Sequence, residues 1–194
     1  MTLANQLTIL RMCLVPGLVI LLVYGFYGWA LIVFAVAGVT DALDGLAARL
    51  LHQRTELGTM LDPLADKLLV TSSLVVLSWP SASLVVPIPV WITILSISRD
   101  AGILVAVLVF NVYIRRRSFP PSFLGKATTV VHIVTILWVI ACNFRGTDHF
   151  LTGYLLGTMV VLVIASALHY LYTIQAILGE EDTLPDNPSR APEC

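Results

Sequence analysis

Charge is what this chain has least of. Only 12% of its 194 residues are Asp, Glu, Lys or Arg, while 58% are hydrophobic and mean hydropathy is +0.91. A soluble domain carries about 25% charged and about 45–50% apolar residues. This chain therefore has too little polar surface to cover a water-facing core, which excludes an ordinary soluble domain. Basic excess is missing too: the formal net charge is −1, which gives no electrostatic footprint for a nucleic-acid partner. Cysteine is scarce. Cys13, Cys142 and Cys194 are odd in number and far apart, so they form neither a disulfide framework nor a CxxC metal knuckle and read as free thiols. His52, His132, His149 and His169 show no metal-ligand spacing.

What the chain has instead is long apolar runs. Six can be marked, at 7–24, 28–51, 58–79, 87–113, 127–143 and 150–178. Each is near the ~20 residues a helix needs to cross the hydrocarbon. The first continues past the core of a signal peptide and further spans follow it. Turn-forming stretches separate the runs: "YGFYG", "SWPSASLVVPIP", "RRRSFPPS" and "NFRGTDHF", of which the prolines suit a helix interior poorly. The expectation is an all-α integral membrane protein with six transmembrane helices. One membrane domain covers 1–178, and the acidic, proline-containing tail over 179–194 is expected to be disordered.

Basic residues set the orientation. Arg49 and Arg54 lie at the second connection, and Arg115, Arg116, Arg117 and Lys126 at or just after the fourth. The first and third connections have none, and the fifth has only Arg145. Positive charge on alternate loops puts both termini, and the turn near residue 53, in the cytoplasm.

That turn is flanked by four aspartates, Asp41, Asp44, Asp62 and Asp66, set in apolar sequence. On helices turning about 100° per residue, Asp41, Asp44, Gly45 and Ala48 share a face with Arg49 at its edge. Gly58, Asp62 and Asp66 share another, at i, i+4, i+8. A short polar connection makes the two helices antiparallel neighbours, so both faces meet in one cleft at the cytoplasmic end. Carboxylates crowded there repel by on the order of 4 kcal/mol per close pair at an effective dielectric of 20. Protonation or cations relieve this. Oxygen-only ligands at such density suit Mg²⁺, Mn²⁺ or Ca²⁺ rather than zinc, and two bridged ions would neutralise the cluster and support phosphoryl transfer. Small residues at 45, 48 and 58 leave room for a ligand. Pro63 either bends the third span beside the site or marks its first turn.

The pattern Asp41-x2-Asp44-Gly45-x2-Ala48-Arg49-x8-Gly58-x3-Asp62-x3-Asp66 resembles the complete signature of the CDP-alcohol phosphatidyltransferase family. The opening "LANQLTILRMCLVPG" is similar to the N-terminal segment of its phosphatidylglycerophosphate synthase and CMP-forming cardiolipin synthase branch. The resemblance extends over 3–178 and implies the family fold and its reaction. In that reaction a CDP-linked lipid, usually CDP-diacylglycerol, gives its phosphatidyl group to an alcohol and CMP leaves. It implies two divalent cations, Mg²⁺ or Mn²⁺, held by Asp41, Asp44, Asp62 and Asp66, with Asp66 also the general base. It places the CDP moiety against Asn5, Gly45, Ala48, Arg49, Thr55 and Gly58. It further implies a homodimer in the cell (inner) membrane, among membrane lipids, with the active site facing the cytoplasm.

The acceptor is read from the fourth span. By resemblance, phosphatidylglycerophosphate synthases carry an Arg-Glu pair in this span and another Arg eight residues later; here Arg99-Asp100 stands at the pair, but position 107 is Val. "ISRD" followed by "PSFLGKATT" is more similar to CMP-forming cardiolipin synthases, whose acceptor is phosphatidylglycerol; glycerol 3-phosphate is the alternative. Arg99 either holds an acceptor phosphate or pairs with an aspartate as structural glue. Arg99 and Asp100 diverge by about 100° on a helix and do not easily face one partner. Lys126 is either an acceptor contact or an interfacial anchor. Arg115–Arg117 read as topology anchors touching anionic headgroups; Arg11 either approaches the CDP moiety or, the preferred reading, snorkels to the interface. Tyr24, Tyr27, Trp29 and Trp79 fit an interfacial aromatic belt. Two rival classes are weighed against the enzyme. An ion or proton transporter would place its acids near the midplane with broken helices or repeats, neither of which the sequence shows. A metal-stabilised scaffold has no use for a complete motif.

Overall fold

The computed structural model describes residues 3–51, 56–80, 84–113 and 123–181, with side chains over 11–40, 67–80, 84–105, 124–173 and at 175. Among these residues all regular structure is helical. Six helices follow in order: α1 (Leu3–Val23), α2 (Tyr27–Leu51), α3 (Glu56–Ser78), α4 (Val90–Tyr113), α5 (Phe123–Arg145) and α6 (Phe150–Glu181).

The turn residues explain where the helices stop. Gly25 has φ 77°, a left-handed conformation that costs a side-chain-bearing residue roughly 1–2 kcal/mol. Phe26 N donates to Leu21 O at 2.8 Å and Gly25 N to Leu22 O at 3.2 Å, the paired bonds of a glycine-centred Schellman cap. Gly146, at φ 68°, ends α5 in the same way, with Thr147 N donating to Cys142 O. α4 begins at Val90, three residues later than the run at 87 suggested. Pro87 and Pro89 disfavour helix at the residues before them, and the Pro89 carbonyl then accepts the first helical bonds, from Ile92 and Thr93. At the other extreme α5 starts at Phe123 rather than 127. α6 continues to Glu181, so the backbone of the first acidic residues after 178 is helical; the rest of the tail, 182–194, lies outside the described residues.

α1 lies against α2 and α3; α5 packs on α2, α3 and α6; α4 packs on α3 and α6. Direct packing of α2 on α3, expected from the short connection, is not seen among the described residues; α1 and α5 each touch both. The core gathers Leu18, Phe34, Leu74, Leu77, Ile136 and Ile140. Tyr27 belongs to this core, 8% exposed, and not to the aromatic belt, whereas Tyr24, Trp29 and Trp79 are exposed as expected. The periphery is also apolar. On α2, Trp29, Ile32, Val36 and Val39 form an exposed stripe, and α6 exposes Tyr154, Val161, Leu168 and Tyr172. Soluble monomers rarely expose such continuous apolar surface. Among the described residues, Leu124–Arg145 and Phe150–Thr173 are long and apolar enough to cross a membrane, and Arg11–Val23, Tyr27–Thr40 and Lys67–Ser78 are shorter apolar helices.

The connections after α1, α3 and α5 gather at one end. Asn143, buried near the end of α5, accepts from Val85 N at 2.8 Å and Val86 N at 3.1 Å through Oδ1, and donates to Val86 O at 3.0 Å. Its amide thus clamps the α3–α4 loop onto α5. A Cβ on Gly28 would come within 2.8 Å of the Phe144 ring, so the start of α2 also abuts this end. The four aspartates belong to the opposite end.

Candidate functional site

α2 and α3 carry the four aspartates on helical backbone, and their side chains lie outside the described residues. The register is informative nonetheless. Asp41 stands ten residues before the end of α2 and Asp66 ten residues after the start of α3, so each is about 15 Å from its helix end at 1.5 Å per residue. Asp44 and Asp62 stand about 10 Å from theirs. Four residues separate Leu51 from Glu56, which limits the two helix ends to at most about 18 Å apart. Paired depths beside a short connection are what a carboxylate site shared by two helices requires, and the all-oxygen donor set fits a hard divalent cation. Asn5, Gly45, Ala48, Arg49 and Gly58 also lie on helical backbone with undescribed side chains, and Thr55 lies outside the described residues altogether.

Directly beyond Asp66 the side chains are visible. A cavity of about 70 Å³ opens between α3, α4 and α5, lined among others by Lys67, Ser96, Arg99, Asp100, Thr128 and His132. One water needs roughly 10–15 Å³ of such space, so several fit. Val70, one helical turn after Asp66, is in the same wall.

The polar groups in this wall are linked. Arg99 Nη1 donates to Asp100 Oδ1 at 2.7 Å, and Nη2 donates to Ser166 Oγ on α6. The guanidinium folds back on its neighbour's carboxylate, so adjacent residues do face one another despite the helical divergence. Lys67 Nζ stands 3.7 Å from Asp100 Oδ2. Asp100 thus binds two cations, one from α3 and one from its own helix. Arg99 is 9% exposed, and its Nε is a buried donor with no hydrogen-bond partner. A buried, incompletely satisfied guanidinium beside a cavity is costly unless a ligand completes it. His132 Nδ1 lies 2.7 Å from the Thr128 carbonyl. Because a carbonyl only accepts, Nδ1 carries a proton and donates it to Thr128 O.

The structure sorts the expected residues. Arg99 lines the cavity, and among the described residues its carboxylate partner is Asp100; the side chains of the four clustered aspartates lie outside the described residues. Lys126 is exposed at the start of α5 and does not line this cavity. Arg11 is 3% exposed; a snorkelling side chain would keep its head in water, so this one is buried within the bundle instead. Arg115–Arg117 lie outside the described residues. Lys67, Thr128 and Ser166 were not singled out from sequence, and His132 only as a histidine without metal-ligand spacing. The available signal was weak: Lys67 follows Asp66, and Thr128 and His132 are four apart on one face of α5.

A family model described as CDP-alcohol phosphatidyltransferase matches residues 1–174. The chain belongs to this family, and is accordingly an enzyme of phospholipid biosynthesis from a class that works in membranes. Enzymes of the family use CDP-diacylglycerol with an alcohol acceptor and generally depend on divalent cations. The chain is 35% identical over 177 residues to a Mycobacterium tuberculosis protein named "Probable phosphatidylglycerophosphate synthase", covering 87% of this chain and 79% of that one. It is 38% identical over 138 residues to a Streptomyces coelicolor protein named "Cardiolipin synthase (CMP-forming)", covering 66% of this chain and 60% of the relative. A human protein of the same name is 33% identical over 201 residues, 91% of this chain and 64% of the relative.

Proposed function

We propose that this protein is a divalent-metal-dependent phosphatidyltransferase whose acceptor is phosphatidylglycerol, as for cardiolipin synthases. The single observation that carries the reading is the complete aspartate motif at paired depths on α2 and α3, with a cavity lined by Lys67, Arg99 and Asp100 opening one residue beyond Asp66. Asp41, Asp44, Asp62 and Asp66 hold two Mg²⁺ or Mn²⁺ ions. When bound, these ions supply positive charge against the pyrophosphate oxygens and the departing CMP. Gly45, Ala48 and Gly58 allow close approach of the CDP moiety, Arg49 pairs with a phosphate, and Thr55 and Asn5 offer polar contacts at the rim. Asp66 accepts the proton of the acceptor hydroxyl as its oxygen attacks the phosphatidyl phosphorus; the bond from phosphorus to CMP breaks and CMP leaves with the electron pair. Arg99 binds the acceptor phosphate. Lys126, at the mouth of α5, meets anionic headgroups as they approach.

All six helices span the membrane in this reading, with 1–178 forming one catalytic domain and the acidic tail in the cytoplasm. The aspartate end faces the cytoplasm of the cell (inner) membrane, as the basic connections favour. CDP-diacylglycerol keeps its acyl chains in lipid while its headgroup reaches the site. Two copies form a homodimer.

Glycerol 3-phosphate is the second reading, favoured by the name of the M. tuberculosis relative. Purified protein with Mg²⁺ or Mn²⁺ and CDP-diacylglycerol, offered each acceptor in turn, tests both. CMP release with phosphatidylglycerol supports the first reading and release with glycerol 3-phosphate alone the second. No CMP with either of these acceptors, inositol phosphate or serine overturns the transferase.

A further inference from the structure

The cavity beyond Asp66 has depth. Its α3 wall runs from Lys67 to Leu74, about 10 Å at 1.5 Å per residue, with Lys67 nearest the aspartates. α5 descends from the same end, so His132, one turn after Thr128, lies about 6 Å further in than Thr128. His132 is 7% exposed and lines the cavity. Its Nδ1 donates to the Thr128 carbonyl of its own helix. That bond fixes the ring and leaves the Nε2 edge with no hydrogen bond among the described residues. Thr71, on the α3 wall, also makes no side-chain hydrogen bond among the described residues, whereas Ser72 and Ser73 beside it both donate to Leu69 O. Arg99, nine-tenths buried, keeps its unpartnered Nε in the α4 wall.

Buried polar groups are kept open at a cost unless a ligand or water completes them. An acyl chain would leave all of these groups bare. They suit a ligand that brings an oxygen to Arg99 Nε and a hydroxyl to His132. A hydroxyl fits Nε2 in either state of the ring, because it donates to a neutral imidazole and accepts from a charged one. In the transferase reading, on which this inference rests, Arg99 takes the acceptor phosphate. Phosphatidylglycerol and glycerol 3-phosphate both present a glycerol unit there. The carbon bearing its secondary hydroxyl stands between the reacting carbon and the carbon that carries the phosphate, so this hydroxyl branches into the cavity from the line joining Asp66 to Arg99.

We infer that His132 is a specificity-determining residue that binds the non-reacting secondary hydroxyl of the acceptor's glycerol unit through Nε2. The substrate class it selects is a phosphorylated glycerol with two neighbouring hydroxyls, against a phosphorylated alcohol with the reacting hydroxyl alone. The inference holds for either acceptor.

The test offers each acceptor beside its analogue without the secondary hydroxyl, to full-length protein in lipid nanodiscs with CDP-diacylglycerol and Mg²⁺. Phosphatidylglycerol is paired with phosphatidyl-1,3-propanediol, and glycerol 3-phosphate with 3-hydroxypropyl phosphate. Wild type is expected to favour the glycerol compound by about tenfold or more in kcat/KM, because a site built to bond a hydroxyl rejects the analogue that lacks it. His132→Leu is expected to lose that ratio by slowing the glycerol compound and not the analogue. His132→Gln, which keeps a hydrogen-bonding end, is expected to retain the preference. A wild type indifferent to the hydroxyl overturns the inference. So does equal loss on both compounds in His132→Leu, the mark of a merely structural ring. If His132→Leu does not fold, wild type still decides: the ¹⁵N resonance of His132 Nε2 is expected to shift on adding the glycerol compound and not its analogue, and the same response to both overturns the inference. Each of these failures leaves the transferase standing. Absence of CMP with every compound removes the transferase reading itself.

Discussion

Lys67 on α3 and Asp100 on α4 form an ion pair, Nζ to Oδ2 3.7 Å, one residue along the chain from Asp66. The pair is partly exposed, so its own contribution to stability is small. Its place matters more. It ties the helix bearing two of the four motif aspartates to the helix bearing Arg99, and joins the expected metal site to the cavity in one structural unit.

In the proposed mechanism, Asp66→Asn removes the base and one metal ligand together. Turnover is expected to fall by about 10²–10⁴-fold or more, while the purified variant keeps the wild-type elution profile and helical circular dichroism. Wild-type rates of CMP release would remove Asp66 from the chemistry.

Asn143 concerns the fold alone. Its amide bonds two backbone donors and one acceptor of the α3–α4 loop, and it donates to Val139 O as well. Asn143→Ala leaves buried backbone groups of that loop without partners, at a cost of about 2–4 kcal/mol. The expected outcome is a lower midpoint of thermal inactivation in detergent, with substrate KM values unchanged, because the site is at the other end of the bundle. An unchanged midpoint would show that water replaces the amide there.

Orientation is testable without activity. Fused after residue 194, green fluorescent protein is expected to fluoresce and alkaline phosphatase to be inactive, as for a cytoplasmic C-terminus. Fused in the α5–α6 turn, after Gly146, alkaline phosphatase is expected to be active. The opposite pattern would invert the whole topology.

Much of the fold was legible because each helix coincides with a long apolar run in the sequence. The six apolar runs foretold the six helices, and the glycines of "YGFYG" and "NFRGTDHF" mark both Schellman caps. Helix starts were harder to read. Pro87 and Pro89 shift α4 by three residues, and the apolar run over 87–89 hides this. Neighbour relations were not legible either: a short connection suggested that α2 packs on α3, while among the described residues both pack on α1 and α5. In the site, the aspartates announced themselves because four acids in apolar sequence are rare. Ser166 reaches Arg99 from 67 positions away, a relation set by packing and absent from any local pattern. Arg11 was misjudged for the same reason, since only tertiary packing reveals that its head is buried.

The central claim is that carboxylates from α2 and α3 together hold a pair of divalent ions. Electron paramagnetic resonance of purified protein titrated with Mn²⁺ in the presence of CDP-diacylglycerol tests it most directly. The account predicts two tightly bound ions per chain with a spin-coupled spectrum, lost in both Asp41→Asn and Asp62→Asn. A single uncoupled ion, or two ions that survive both substitutions, would contradict it.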